Sequence, residues 1–445
     1  MLGIVVSRAD SASVHIGEQL LALEEWETES DAGGDTVYRT EGAELREFGK
    51  RHLDMERPAE AFGDIDLLVF ASRHSGETGA LLTAHHTGNF GPADHGGAAN
   101  ELAEACPNAH AAVLDALADH APDGYEVGME CTHHGPSAVG VPSMFVELGS
   151  AEEQWQDPAG ARAVARAILD IRGVAAHREP ANGDETRRQL VGFGGGHYTP
   201  RFERVVRETS WAMGHIAADW GLDAVGEFDD EGQAVLAEAF EQSKADYAVV
   251  DGDRPDVVEA VDAAGYRAVS ETWVRETESV PLAFVTVAEA VATVDDGLRF
   301  GEPATDYEGT AFVEAAIPAE LLDEACGIDR ERCLALFRDR ALTFVTGQGG
   351  SRPTGTVLLR EEEERSALIG ELLSVLEERF DTVERNGETA IARERRFDPG
   401  KAKTLGVPEG PAFGRLADGE TVEVNGRTIP PEKVRSEREV EFSLN

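Results

Sequence analysis

Four short stretches of this sequence gather the side chains best suited to hold a metal ion or move a proton near neutral pH. They are SRHSGETG with His74, AHHTGNFG with His85 and His86, ECTHHGP with Glu130, His133 and His134, and GGGHYTPR with His197. Imidazole and carboxylate suit zinc, and a metal with an open coordination position brings the pKa of a bound water to about 7. Of two adjacent histidines, one can hold the metal while its neighbour donates a hydrogen bond or carries a proton. Glycines beside each stretch let backbone approach a ligand closely. The chain has 13 histidines, and none follows His215. His15, His52, His110, His120 and His177 stand alone and read as polar residues near the surface. No HExxH motif, phosphate-binding GxxxxGK[ST] loop or GxSxG elbow is present, and no serine-histidine pair stands out.

The elements that must position these residues are short apolar runs: LGIVVS, IDLLVFAS ending at Ser72, GALLTAH ending at His85, YEVGMEC ending at Cys131, MFVELG ending at Gly149, and QLVGFG ending at Gly194. Helical patterns lie between them, over Ala109 to Ala121 and from Asp157, an N-cap followed by Pro158 at the first helical position. Strands alternating with helices predict an α/β domain with a parallel or mixed sheet. In such sheets ligands bind beyond the carboxyl ends of the strands, so the four stretches are expected at one edge. DYAVVDG near Asp251 and LAFVTV near Val287 are read as closing strands. From about Asp295 the sequence becomes acidic and Gly-containing, with one long helix pattern around EEEERSALIGELLSVLEERF. The expected division is 1–294, catalytic, and 295–445, a smaller α+β extension.

Of 445 residues, 85 are acidic and 40 basic, only five of these lysine, for a formal charge of −45. Self-repulsion of that size strains a compact state in dilute buffer and is screened near 1 M salt, where the Debye length is about 3 Å. The acidity therefore reads as adaptation to a salt-rich cytoplasm, with a halophilic archaeon as the expected source. The start, MLGIVVSRAD, lacks the regions of a secretory signal, and no apolar run is long enough to cross a bilayer. A soluble, cytoplasmic, membrane-free monomer is expected. Cys106, Cys131, Cys326 and Cys333 form no CxxC pair and read as buried small hydrophobes.

The histidine stretches, together with VPSMFVELGS (Val141 to Ser150), GFGGGHYTPRF (Gly192 to Phe202) and ETSWAMGHIAADW, resemble the zinc-dependent D-aminoacyl-tRNA deacylases of archaea and plants over about the first 280 residues. The resemblance implies hydrolysis of the ester joining a D-amino acid to tRNA. It also implies a mixed sheet flanked by helices, similar to phosphorylases and peptidyl-tRNA hydrolases, and a pair of zinc ions per subunit. Metal ligands are expected among His74, His85, His133, His134, His197 and Glu130, with the subset left open. Glu130, His133 and His134 are the expected catalytic groups. Arg73, Asn89, Gly194, Gly195, Gly196, Arg201 and His215 are expected at the substrate, the glycine amides facing the oxyanion. His85 aligns with the family's motif, His86 is incidental, and His95 stands where the family often has tyrosine. Phe397 to Val434 resembles a segment of tRNase Z without its metal-binding histidines. With the basic residues Arg393, Arg395, Arg396, Lys401 and Lys403, it makes 393–434 an expected tRNA-contacting segment. Arg201, Arg204 and Arg207 form a second basic set, which neighbouring glutamates can equally well neutralise. The competing readings are a metal-dependent amidase or peptidase, and a tRNA-binding module with structural histidines.

Overall fold

The computed structural model of the chain describes residues 1–31, 34–180, 186–309 and 311–445. They form two compact units, Met1–Glu278 and Ser279–Asn445. The first unit is built on a mixed eight-stranded sheet. Its strands are β1 (Leu2–Ser7), β2 (Glu27–Ser30), β3 (Thr36–Thr40), β4 (Ala43–Phe48), β5 (Leu67–Arg73), β6 (Leu81–His86), β7 (Glu126–Met129) and β8 (Ser143–Gly149), in the order β2-β3-β4-β1-β5-β8-β6-β7. Every residue of β1 is buried, as expected of an unbroken apolar run in a strand covered on both faces. Helices α1 (Ser11–Leu23), α2 (Pro107–His120), α3 (Glu152–Trp155) and α4 (Pro158–Asp170) pack on this sheet and on one another. Asp10 starts α1 by accepting from the amides of Ala12 and Ser13, and Asp157 starts α4 by accepting from Ala159, as its sequence predicts.

A second, all-parallel sheet follows, formed by β9 (Gln189–Gly194), β10 (Ala212–Ala217), β11 (Tyr247–Asp251) and β12 (Arg267–Val269) in the order β10-β9-β11-β12. Helices α5 (Pro200–Glu208), α6 (Asp219–Val225), α7 (Asp230–Ser243) and α8 (Pro255–Ala263) intervene along the chain.

The strand directions change one expectation. β6 runs antiparallel to β8 and parallel to β7, whereas β5 and β8 are parallel, so the four histidine stretches do not leave one carboxyl edge. His85 lies inside the sheet, paired in register with Phe145. Convergence comes instead from the segment after β7. There the Glu130 amide donates to the Ala84 carbonyl (3.2 Å), Cys131 to His197 (2.9 Å) and Thr132 to Ile216 (2.9 Å). One irregular segment is thus tied to both sheets of the first unit.

The second unit contains four-, three- and two-stranded antiparallel sheets and the helix Glu362–Leu376, whose Leu368, Ile369 and Leu372 enter a core with Phe337, Phe344 and Phe442. LAFVTV, expected as a strand, is the helix Leu282–Ala288, which buries Leu282, Phe284, Val285 and Ala288. Its apolar run is too short for periodicity to separate the two forms. The change of composition at Asp295 thus falls inside this unit. All four cysteines are free and buried. Among the described residues no helix is long and apolar enough to cross a membrane.

Phe70 and Phe145 are fully buried and stack at 4.7 Å between centroids. Phe70→Ala is expected to cost ~3–5 kcal/mol, read as a lowered denaturation midpoint in high salt. A cost below ~1 kcal/mol would show that the sheet is not held by this layer.

Candidate active site

Glu130 sits at the centre of the site with its carboxylate wholly removed from solvent. Its Oε2 is 2.7 Å from Nε2 of His197 and 3.8 Å from Nε2 of His133, and its Oε1 is 3.7 Å from Nε2 of His74. Burial alone pushes this carboxyl up, but the His197 hydrogen bond and the imidazoles of His85, His133 and His74 outweigh it. Glu130 is held below the usual carboxylate range. His85, His133 and His134 form an adjoining cluster with ring centroids 4.3–4.6 Å apart. Burial pushes the imidazoles of His74, His85, His133 and His134 down, His133 to about 3.

The second ring nitrogens determine where the lone pairs point. Nδ1 of His85 is 2.9 Å from the His86 carbonyl, and Nδ1 of His133 is 2.9 Å from the Cys131 carbonyl. A carbonyl oxygen only accepts, so Nδ1 carries the proton and Nε2 presents its lone pair to the centre. His85 Nε2 and Glu130 Oε1 are buried without a hydrogen-bond partner. Such orphaned atoms are costly unless something else binds them. Three donor sets lie within 4.8 Å: His85, His133 and His134; Cys131, His133 and His197; and His74, Glu130 and His197. The donor chemistry fits a metal ion.

Adjacent residues behave differently according to local structure. In β6 the side chains alternate, so His85 faces the centre while His86 packs against His110 and His215 on the other side. His133 and His134, in irregular backbone, enter the same cluster. His74 needs Gly149, where an added Cβ would lie 2.6 Å from the His74 side chain.

Of the residues expected to contact substrate, several are occupied elsewhere. His215 is fully buried, with Nδ1 3.0 Å from Thr132 Oγ1 and Nε2 donating to the Ala103 carbonyl at 2.7 Å. Asn89 donates to the Gly96 and Ala98 carbonyls and holds its own loop. Arg73 lies over Trp155. Arg201 pairs with Asp251, Arg204 with Glu271 and Arg207 with Glu203. Gly194, at φ +93°, would place a Cβ 2.1 Å from the Asp251 carbonyl, and a Cβ on Gly195 would meet the Asp251 carboxylate, whereas Gly196 faces open space. The surface reading of the lone histidines fails for His52 and His110, which are buried.

Four residues at the site were not singled out from sequence. Ser150 Oγ is 2.9 Å from Nδ1 of His74 and also contacts Thr78, so a serine-histidine pair is present after all. The Tyr198 hydroxyl is 3.2 Å from Nε2 of His74. Cys131 Sγ is 3.7 Å from Nδ1 of His197, and burial pushes its thiol up to about 12. Glu147 Oε1 is 3.8 Å from Nε2 of His85. Burial, with Glu130 and Asp10 nearby, pushes Glu147 well above the usual range. A glutamate inside the otherwise buried MFVELG strand was the available signal.

A sequence profile described as D-aminoacyl-tRNA deacylase matches residues 61–269. Among similar curated proteins, "D-aminoacyl-tRNA deacylase" of Haloarcula marismortui is 54% identical, and that of Natronomonas pharaonis 50%, each over 100% of both chains. The protein of the same name from Methanosphaerula palustris is 33% identical over 97% of this chain and 96% of its own. A crystal structure of a conserved protein of unknown function is 30% identical with a TM-score of 0.54, covering 62% of this chain and 96% of its own.

Burial holds His52, His110 and His215 at pKa values of about 4, against about 6.5 in an unfolded chain. Between these values the unfolded chain binds more protons, so stability is full above pH 6.5 and is lost as pH falls towards 4. His110→Leu is expected to flatten that dependence by on the order of 2–3 kcal/mol. Denaturation midpoints at constant high salt measure it, and an unchanged slope would contradict it.

Proposed function

The chain belongs to the D-aminoacyl-tRNA deacylase family, and from that premise we propose how its histidine centre works. The protein hydrolyses the ester bond of D-aminoacyl-tRNA, releasing the free D-amino acid and tRNA. In the proposed mechanism the centre holds zinc, as a pair of ions. The observation that carries this is the set of buried donors with orphaned atoms, His85 Nε2 and Glu130 Oε1. His85, His133 and His134 would hold one position, and His74 and Glu130 would supply ligands to the other. A zinc ion held there would supply Lewis-acid polarisation of an ester carbonyl and a bound water with pKa near 7.

The chain's own groups supply the rest. Backbone carbonyls fix His85 and His133 with Nε2 inward, which sets ligand orientation before substrate arrives. His197, hydrogen-bonded to Glu130 and a third exposed, takes the proton from attacking water and returns it to the leaving ribose oxygen. Gly196, where an added side chain would meet nothing, is the proposed source of an amide donor to the developing oxyanion.

A metal-free reading has one observation in its favour, the Ser150–His74–Glu130 arrangement. Ser150 is 2% exposed, however, and its hydroxyl is shared with Thr78. The imidazole also presents Nδ1 to serine, with Glu130 held more closely by His197.

The kinship of the first unit to phosphorylases and peptidyl-tRNA hydrolases is part of the same proposal, supported by the parallel β1, β5 and β8 with packed helices. So is action as a monomer in the cytoplasm, where tRNA is found. The second unit is proposed to help hold tRNA through 393–434. Its basic residues are partly engaged already: Arg393 pairs with Glu384 and Glu439, Lys403 with Glu409, and Lys401 donates to the Arg435 carbonyl.

Chelation should abolish hydrolysis of D-aminoacyl-tRNA with the fold retained, and His133→Ala should lower turnover by at least ~100-fold. His120→Ala, which removes a ring paired with Asp170, should change it less than twofold. Full activity after chelation would favour the serine reading, which Ser150→Ala then tests. Truncation after Glu278 should keep activity on a small D-aminoacyl ester and raise KM for whole tRNA. An unchanged KM would remove the second unit from recognition.

A further inference from the structure

The exposed aromatic side chains of the first unit are not scattered. Among the described residues the large aromatics that stand exposed are Tyr198 and Trp220, at 37% and 46%. Tyr198 touches the histidine centre, and Trp220 lies on the helix tied to the loop that carries His197. Tyr198 follows His197, lies edge-on to its ring at 4.8 Å and places its hydroxyl 3.2 Å from His74. Trp220 is the second residue of α6, and the amide of Asp219 before it donates to the Gly195 carbonyl at 3.0 Å. The other side of α6 meets the loop that leaves His85: the Cβ position of Gly221 is 3.3 Å from Phe90, and that of Gly91 is 2.6 Å from Ala224. α6 is therefore wedged between the loop carrying His197 and the loop leaving His85, with its indole in water.

We propose that Trp220 and Tyr198 form a stacking platform for the nucleobase carried by the same ribose as the scissile ester. The proposal rests on the reading that this ester is cleaved at the histidine centre. A hydrolase acting on that ester necessarily has the base within one nucleoside of its reacting atoms. Charge does not favour holding a polyanion here, because the chain carries −45 and the arginines of α5 are committed to Asp251, Glu271 and Glu203. Counterion release also fades as salt rises, whereas base-aromatic stacking needs no net positive charge and tolerates any base.

Trp220 is the cleaner test, because Tyr198 also touches His74. With full-length zinc-loaded protein in high salt, hydrolysis is compared on a D-aminoacyl-adenosine and on the ethyl ester of the same D-amino acid. Trp220→Ala is expected to reduce the kcat/KM preference for the adenosine ester about tenfold, within the range for loss of one stacked base, mainly through KM. Trp220→Phe should restore most of it. Adenosine monophosphate should quench the tryptophan fluorescence of the wild-type protein saturably and compete with hydrolysis. An unaltered preference in a folded Trp220→Ala protein, or no quenching and no competition, overturns the platform while leaving the deacylase centre intact. If wild-type protein cleaves neither ester nor D-aminoacyl-tRNA, the underlying reading falls and the platform with it.

Discussion

A carboxylate taken fully out of water must be paired or it gives up its charge, and Glu130 has no side-chain exposure at all. The interaction that keeps it ionised is the hydrogen bond from His197, which arrives from the second sheet, while the Glu130 amide is bonded to β6 of the first. The remaining geometry follows from that bond. His74 and His133 face the same carboxylate, and the segment that follows carries His133 and His134 onto His85. Loss of the Glu130–His197 pair would leave a buried charge uncompensated and cut the tie between the two halves of the donor set.

Much of this was legible in the sequence because histidine is chemically informative and apolar strand runs are easy to see. The six central residues, His74, His85, Glu130, His133, His134 and His197, stood out before any coordinates. The structure brings these side chains together, but not from one carboxyl edge of the sheet. Strand direction is not encoded in a local run, so the antiparallel β6 could not be foreseen. The opposite fates of the two histidine pairs were legible in principle, since alternation in a strand separates His85 from His86 and irregular backbone frees His133 and His134 from that rule. His52 and His110 show the limit in the other direction, because a lone polar residue gives no sign of being buried. The helix at Leu282–Ala288 escapes because its apolar run is too short for periodicity to decide, and the Ser150–His74 pair because its partners are 76 residues apart in the chain.

The acidity of the protein shapes how its substrate is handled. Surface ion pairs already engage the arginines of α5 and several basic groups of the second unit, so those cations are not free to meet a phosphate backbone. In concentrated salt this costs little, since exposed charges are screened within about 3 Å at 1 M. Shape and stacking then gain weight in affinity.

In the proposed centre, imidazoles gathered around Glu130, and not the neighbouring Cys131 thiol, hold zinc. The zinc K-edge absorption spectrum of the loaded protein tests this most directly. The account predicts a shell of nitrogen and oxygen at about 2.0–2.1 Å, rich in imidazole scattering, with no sulfur near 2.3 Å. A sulfur shell from Cys131, or a protein that retains no zinc in stoichiometric amount, would contradict it.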